Sequence, residues 1–179
     1  PRSPYAVSKL AAEYYVRTIG DLWKIETVIL RVFNAYGPGQ HMPPSHAPVI
    51  PNFLRQSIRG GTIVMHGDGS QTRDYVFVDD VVSAIIAAAT APNVNHLVIN
   101  IGSGQETSLR ELVRLVMQAT GTKTEVITNP HNDPGVSRMC ADISLARSKL
   151  NYHPRLSLEE GLRLTLERDA RFRREAPGR

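Results

Sequence analysis

The chain has 179 residues, 41% of them hydrophobic, and its 21 lysines and arginines against 17 aspartates and glutamates leave a formal charge of +4. That length can bury one sizeable core, and the mild positive balance favours anionic ligands without making a case for nucleic acid. The most apolar stretch, Val76 to Ala91, is broken by Asp79 and Asp80, which argues against a membrane span, and the single cysteine, Cys140, excludes an internal disulfide and fits a reducing compartment.

In chain order, Ser3-Pro4-Tyr5-Ala6-Val7-Ser8-Lys9 reads as a helix start, because Pro4 suits the first turn, where a missing N–H costs nothing. Apolar Leu10, Tyr14 and Ile19 continue the helical period as far as Gly20, the expected stop. Tyr5 and Lys9 stand four residues apart and so share one face. A phenol is a poor base, with an ordinary pKa of about 10, but a neighbouring cation favours the phenolate, so Tyr5 can exchange a proton with a hydroxyl.

Thr27 to Phe33 is a strand apolar on both faces except at Arg31, a pattern expected inside a covered, largely parallel sheet. It runs into the turn-rich segment Asn34 to Gly39, at the strand end where open α/β sheets bind ligands. Gln40 to Pro48 is a loop whose two histidines, His41 and His46, lack the carboxylate or cysteine partners of a metal site. Val49 to Leu54 then leads into a short helix ending at Gly60-Gly61.

Gly67-Asp68-Gly69 is a turn that delivers Arg73 just before a strand, and the planar fork of an arginine can contact two oxygens of a diphosphate at once. Asp74 is expected to be the structural partner of Arg73, and Asp79 or Asp80 the N-cap of a helix from Val81 to Ala89. Leu97 to Ile101 is a further strand, and Ser108 with Glu111 forms a capping-box pattern before a helix that buries Leu109, Leu112, Val113 and Val116 and ends at Gly121. Gly102-x-Gly104 is not a dinucleotide loop, because Thr107 stands where the third glycine belongs and no acidic residue ends a following strand. From Ser157 to Arg174 an amphipathic helix is expected, with a capping box at Ser157 and Glu160 and with Leu158, Leu162 and Leu166 apolar. Its arginines alternate with Glu167, Asp169 and Glu175, as on a solvated face.

Four of these stretches, taken together and in this order, resemble the extended short-chain dehydrogenase/reductases, the NAD-dependent sugar-nucleotide epimerases and dehydratases. They are Ser-Pro-Tyr-Ala-x-Ser-Lys at 3–9, Arg-x-Phe-Asn-x-Tyr-Gly-Pro at 31–38, the Gly67 to Asp80 segment, and Arg138 followed by Asp142-x-x-x-Ala146 and Leu150-Asn151-Tyr152-His153-Pro154. Two departures stand out: Asp133, where many relatives carry a basic residue, and Asn151 in place of a glycine.

The resemblance implies an α/β fold: the C-terminal part of a doubly wound, Rossmann-type parallel sheet with a small α/β substrate-binding domain. Residues 1–35 and about 62–105 would belong to the core, and about 36–61 and 106–179 mainly to the substrate side. The family's glycine-rich loop and catalytic Ser/Thr would precede Pro1, so the chain is expected to be a C-terminal half, inactive by itself. Tyr5 would be the acid/base, Lys9 would hold the nicotinamide ribose of NAD, and Phe33 would lie beside the nicotinamide. Asn34, Val49, His66, Arg73 and Arg138 would bind a nucleotide-diphosphate sugar. Val-Ile-Pro-x-Phe at 49–53 is similar to a segment of several 4-epimerases, which favours a 4-epimerase of the UDP-glucose/UDP-galactose type working through a 4-keto sugar. A 4,6-dehydratase or decarboxylase of the same family, or a non-catalytic nucleotide-diphosphate-binding module, are the alternatives. A cytoplasmic homodimer without nucleic-acid or membrane partners completes the expectation.

Overall fold

A computed structural model describes residues 1, 3–45, 47–129 and 136–173. Its first element, α1 (Pro4–Trp23), starts as expected, with the Ser3 hydroxyl accepting from the Ala6 N–H at 3.1 Å and Pro4 in the first turn. The helix passes through Gly20 and ends three residues later, where Lys24 takes the left-handed conformation at φ 55°. Gly20 is needed for a different reason: a Cβ there would lie 2.9 Å from the Ile25 carbonyl oxygen, where the chain folds back and the Ile25 N–H donates to Gly20 at 2.9 Å.

The expected strand from Thr27 to Phe33 divides into two ladders. β1 (Ile29–Val32) pairs in parallel with β6 (Val98–Ile101), and β2 (Asn34–Tyr36) pairs in parallel with β5 (Tyr75–Phe77). Phe33 is the step between them; its N–H donates to Ile101 at 2.9 Å while its carbonyl accepts from Ala35 at 2.8 Å. A third parallel ladder joins β3 (Thr62–His66) to β8 (Glu125–Asn129), and a short antiparallel one joins β4 (Thr72–Arg73) to β7 (Thr107–Ser108). The intervening helices are α2 (Val49–Ile58), α3 (Val78–Thr90), α4 (Leu109–Thr120), α5 (Ser144–Leu150) and α6 (Leu158–Arg168). Parallel pairing requires such crossovers, so the chain is α/β.

Alternation along β2 and β5 separates two packed regions. Tyr36, Tyr75 and Phe77 face a cluster built with Ile50, Leu54, Leu112 and Leu162 from α2, α4 and α6. Ala35 and Val76 face a second cluster, with Ala84, Ile99, Ile101 and Ala146. The covering expected over β1 is missing at its far end, where Arg31 and Val32 are exposed, and Gly20 is the buried residue of α1.

Neither Asp79 nor Asp80 caps a helix. α3 begins earlier than expected, at Val78, and no side chain caps it. Asp80 is buried and accepts instead from the Arg155 and Leu156 N–H groups at 3.1 and 3.3 Å, tying that segment to α3, while Asp79 pairs with Arg168 at 2.8 Å. The Ser108 cap forms at 3.1 Å, but Glu111 turns to Arg114 and the box is half made; the box at Ser157 and Glu160 is complete. Asn151 adopts φ 49°, the conformation its amide side chain tolerates. α6 stops at Arg168, short of the expected Arg174, because Asp169 leaves the helix to accept from the Gly39 N–H at 2.8 Å; Arg174 and Glu175 lie outside the described residues.

Gly161 is where α6 meets the β2–β5 wall. A Cβ there would overlap the Tyr36 hydroxyl and lie 2.7 Å from its Cζ and 2.9 Å from Phe77 Cδ2. Tyr36 and Phe77 are themselves held edge to face at 5.5 Å, which leaves little room to yield. Gly161→Ala is therefore expected to lower unfolding free energy by about 1–3 kcal/mol in urea titration, with Tyr36→Phe in the same chain recovering part of the loss. An unchanged midpoint in Gly161→Ala would show that the wall is looser than this packing implies.

Candidate active site

Tyr5 and Lys9 project from the first turns of α1 into an open groove of about 820 Å³ that α1 forms with Val28 to Val32. The Lys9 ammonium lies 5.5 Å from the centroid of the Tyr5 ring, and Tyr5 is 71% exposed, so the pair expected from spacing is assembled and accessible. At the carboxyl end of β1, Phe33 is half-buried against the cluster that contains Ile101.

Directly after Phe33, Asn34 lines a pocket of about 140 Å³ with Tyr36, Gln40, Val49 and Tyr75. The structure thus brings Asn34 and Val49 together. The Asn34 side-chain amide donates to the Asp74 carbonyl at 3.2 Å and faces Met139 Sδ at 3.8 Å. Gln40, which sequence reasoning passed over as loop, donates to the Ala35 carbonyl at 3.0 Å and keeps its Oε1 buried with no hydrogen-bond partner among the described residues. A buried acceptor without a donor is costly, so a ligand hydroxyl or amide is its natural complement. Burial pushes the Tyr75 phenol up to about 12 and raises Tyr36 as well, which keeps both neutral. Proton transfer therefore falls to the exposed Tyr5.

Arg73 and Arg138, far apart in sequence, are neighbours in space. The Thr72 N–H donates to the Ser137 carbonyl at 2.9 Å, and Arg73 Nη1 donates to the carbonyls of Thr72 and Val136, both at 2.7 Å. Arg138 Nε meets both oxygens of Glu106 at 3.0 and 2.8 Å, and the Thr72 hydroxyl donates to the same carboxylate at 2.9 Å. The Arg138 hydrogen bond, then that of Thr72, holds the Glu106 carboxyl below its ordinary range. Glu106 was not expected to take part; nothing in its local sequence marks it, since its partner is 32 residues away. His66 ends β3, exposed, with its carbonyl accepting from Gln71 at 2.8 Å. Asp133, Gly135 and His46 lie outside the described residues.

Asp74 is not the partner of Arg73. Its side chain is fully buried and accepts from four groups: the Ser103 N–H and hydroxyl at 2.7 Å each, and the Gly104 and Ala141 N–H groups at 3.0 Å each. The expectation failed because adjacent residues of an extended segment point to opposite faces, so Asp74 turns inward where Arg73 turns out. Asn100-Ile101-Gly102-Ser103-Gly104 is the sequence signal that could have predicted it, as a glycine-rich loop that exposes its backbone N–H groups to an anion.

Residues 1–102 match the NAD dependent epimerase/dehydratase family. The chain is 38% identical over 167 residues to a UDP-glucose 4-epimerase of Mycolicibacterium smegmatis, covering 93% of this chain and 53% of that protein. The structure of UDP-glucose 4-epimerase with UDP-glucose from Thermotoga maritima superposes with a TM-score of 0.86 at 36% identity, over 93% of this chain and 53% of that one. The UDP-glucuronic acid 4-epimerase of Bacillus cereus, in complex with UDP-glucuronic acid and NAD, gives 0.83 at 30% identity, over 93% and 52%. The chain thus spans about half the length of the relatives it matches.

Asp74→Asn places an amide N–H against one of the N–H donors that now meet a carboxylate oxygen. It is expected to cost about 3 kcal/mol in unfolding free energy, read by urea denaturation. Unchanged stability with a loss confined to ligand affinity would return Asp74 to the role of partner for Arg73.

Proposed function

The chain belongs to the NAD dependent epimerase/dehydratase family, and from that premise we propose that it forms the catalytic-tyrosine and substrate-binding part of an NAD-dependent sugar-nucleotide 4-epimerase of the UDP-glucose/UDP-galactose type. The observation that carries the reading is the Tyr5–Lys9 pair, 5.5 Å from ammonium to ring, in a groove beside the carboxyl end of a parallel strand. An open groove lined by a cation, with a half-buried aromatic at the strand end, fits a nicotinamide nucleotide.

NAD, when bound, supplies a reversible hydride acceptor for carbon 4 of the sugar. The chain's own residues do the rest. Tyr5 takes the proton from the 4-hydroxyl as that carbon is oxidised and returns it to the same oxygen once the 4-keto sugar has turned over. Lys9 holds positive charge against the phenol, which favours its ionised form, and binds the ribose beside Phe33. Arg73 and Arg138 meet the diphosphate, where a charge-assisted fork contacts two oxygens at once. Asn34, Val49 and His66 complete the substrate contacts, and Gln40 Oε1 offers an acceptor to a sugar or ribose hydroxyl. In this reading residues 1–35 and about 62–105 build the nucleotide-binding core, and about 36–61 and 106–179 the substrate side. No helix among the described residues is long and apolar enough to cross a membrane. We place the enzyme in the cytoplasm as a homodimer; the exposed Tyr14, Tyr15, Leu22 and Trp23 on α1 support association.

Tyr5→Phe is expected to lower kcat by roughly 10²- to 10⁴-fold while sparing the affinity for UDP-sugar, because it deletes the proton-transfer group alone. Arg73→Ala is expected to weaken substrate binding by about 1.5–3 kcal/mol with a smaller change in kcat. Steady-state kinetics with UDP-galactose, together with UDP titration, separate the two; equal effects of both substitutions on binding and turnover would contradict these roles.

A further inference from the structure

α1 carries Tyr5 and Lys9, yet it packs poorly. It is 20 residues long, about 30 Å at helical rise, and Gly20, near its far end, is its buried residue. Packing alone leaves little to fix how the helix sits over β1 at the end that bears the reacting groups. Two ion pairs join it to neighbouring elements. One is distal, Asp21 with His96 at 3.3 Å. The other is close to the site: Arg31 Nε and Nη2 donate to the two oxygens of Glu13, both at 2.7 Å.

Glu13 stands on the same side of α1 as the pair, four residues after Lys9 and eight after Tyr5, about 12 Å along the axis from Tyr5. It lines the same groove, with Arg31 on the opposite wall. Glu13 is 18% exposed and Arg31 50% exposed, so the contact is only partly screened by water. A two-point fork is directional in a way a single ion pair is not: it fixes the distance between helix and strand and also the rotation of the helix about its own axis.

We propose that the Glu13–Arg31 fork is a positioning clamp for the catalytic helix, setting where the Tyr5 hydroxyl stands relative to substrate held at the end of β1 and in the Asn34 pocket. The inference rests on the reading of Tyr5 as the proton-transfer group. Neither Glu13 nor Arg31 touches the reacting atoms. Because Tyr5 and Lys9 share the helix, releasing the clamp moves them together, leaving their mutual contact intact and their placement over the sugar altered. A misplacement of about 1 Å is enough to cost roughly 100-fold in rate.

The test uses the intact NAD-loaded protein, with Glu13→Ala, Arg31→Ala, the double substitution, Glu13→Gln, and Tyr5→Phe as a control. Glu13→Ala and Arg31→Ala are each expected to lower kcat roughly 10- to 100-fold with the KM for UDP-galactose within about twofold. The double variant should be no worse than either single one, because the two residues act as a unit. Glu13→Gln, which preserves shape and loses charge, should fall between. Hydrogen exchange, read on the same proteins without substrate, should quicken at least about tenfold over residues 5–13 in both alanine variants and stay unchanged in α4. Active variants with parental exchange over 5–13, additive losses in the double variant, or quickened exchange throughout the protein would each overturn the clamp. An inactive parent, or an active Tyr5→Phe, would overturn the functional reading instead, and the exchange pattern would still decide whether the fork holds the helix.

Discussion

The Asp74 carboxylate is the constraint on which the site depends. A carboxylate with no exposed surface must be met by donors, and here they come from the loop after β6 and the segment before α5, with no cation among the four. The main chain of the same residue serves β2, since the Asp74 carbonyl accepts from the Asn34 N–H at 3.1 Å and from its side-chain amide at 3.2 Å. One residue therefore sets where three segments meet. Arg73, Asn34 and Arg138 are each on or next to one of them. Gly102 is bound to the same point, because a Cβ there would lie 2.8 Å from Asp74 Oδ2 and 2.6 Å from the Ala141 Cβ. The Tyr152 hydroxyl, donating to the Gly102 carbonyl at 2.9 Å, closes the cluster from below.

The two halves of the site are built on different physics. The substrate side is anchored in buried packing and in hydrogen bonds to main chain, which do not depend on salt or on long side-chain rotamers. The helix that carries Tyr5 lies mostly exposed and is held by charge. An element of that kind can shift by fractions of an ångström at low energetic cost, and proton transfer is sensitive to such shifts.

Local chemistry was legible in the sequence and long-range pairing was not. Ser3 capping α1, the boxes and stops at Ser157 and Gly121, and the Tyr5–Lys9 face all follow from spacings within one or two turns, and all are found. Asp74, Asp80 and Glu106 were misread or missed because their partners stand 29 to 75 residues away, at Ser103, Ala141, Arg155 and Arg138. The strand at Thr27 to Phe33 was recognised by its apolar run, but its division at Phe33 depends on two different partner strands and leaves no local mark. Glu13 had a signal that was available, its place on the Tyr5–Lys9 stripe, but its significance depends on Arg31 lying across the groove.

The central claim, that Tyr5 serves a reversible oxidation at carbon 4 of a nucleotide sugar, is tested most directly by following a label at that carbon. The intact protein would be given UDP-glucose carrying deuterium at C4, and the product analysed by NMR and mass spectrometry. The account predicts UDP-galactose with the deuterium still at C4, because the hydride that leaves returns to the same carbon while Tyr5 handles only the proton on oxygen. Deuterium relocated to C6 with loss of water, deuterium exchanged into solvent, or no UDP-galactose at all would contradict it.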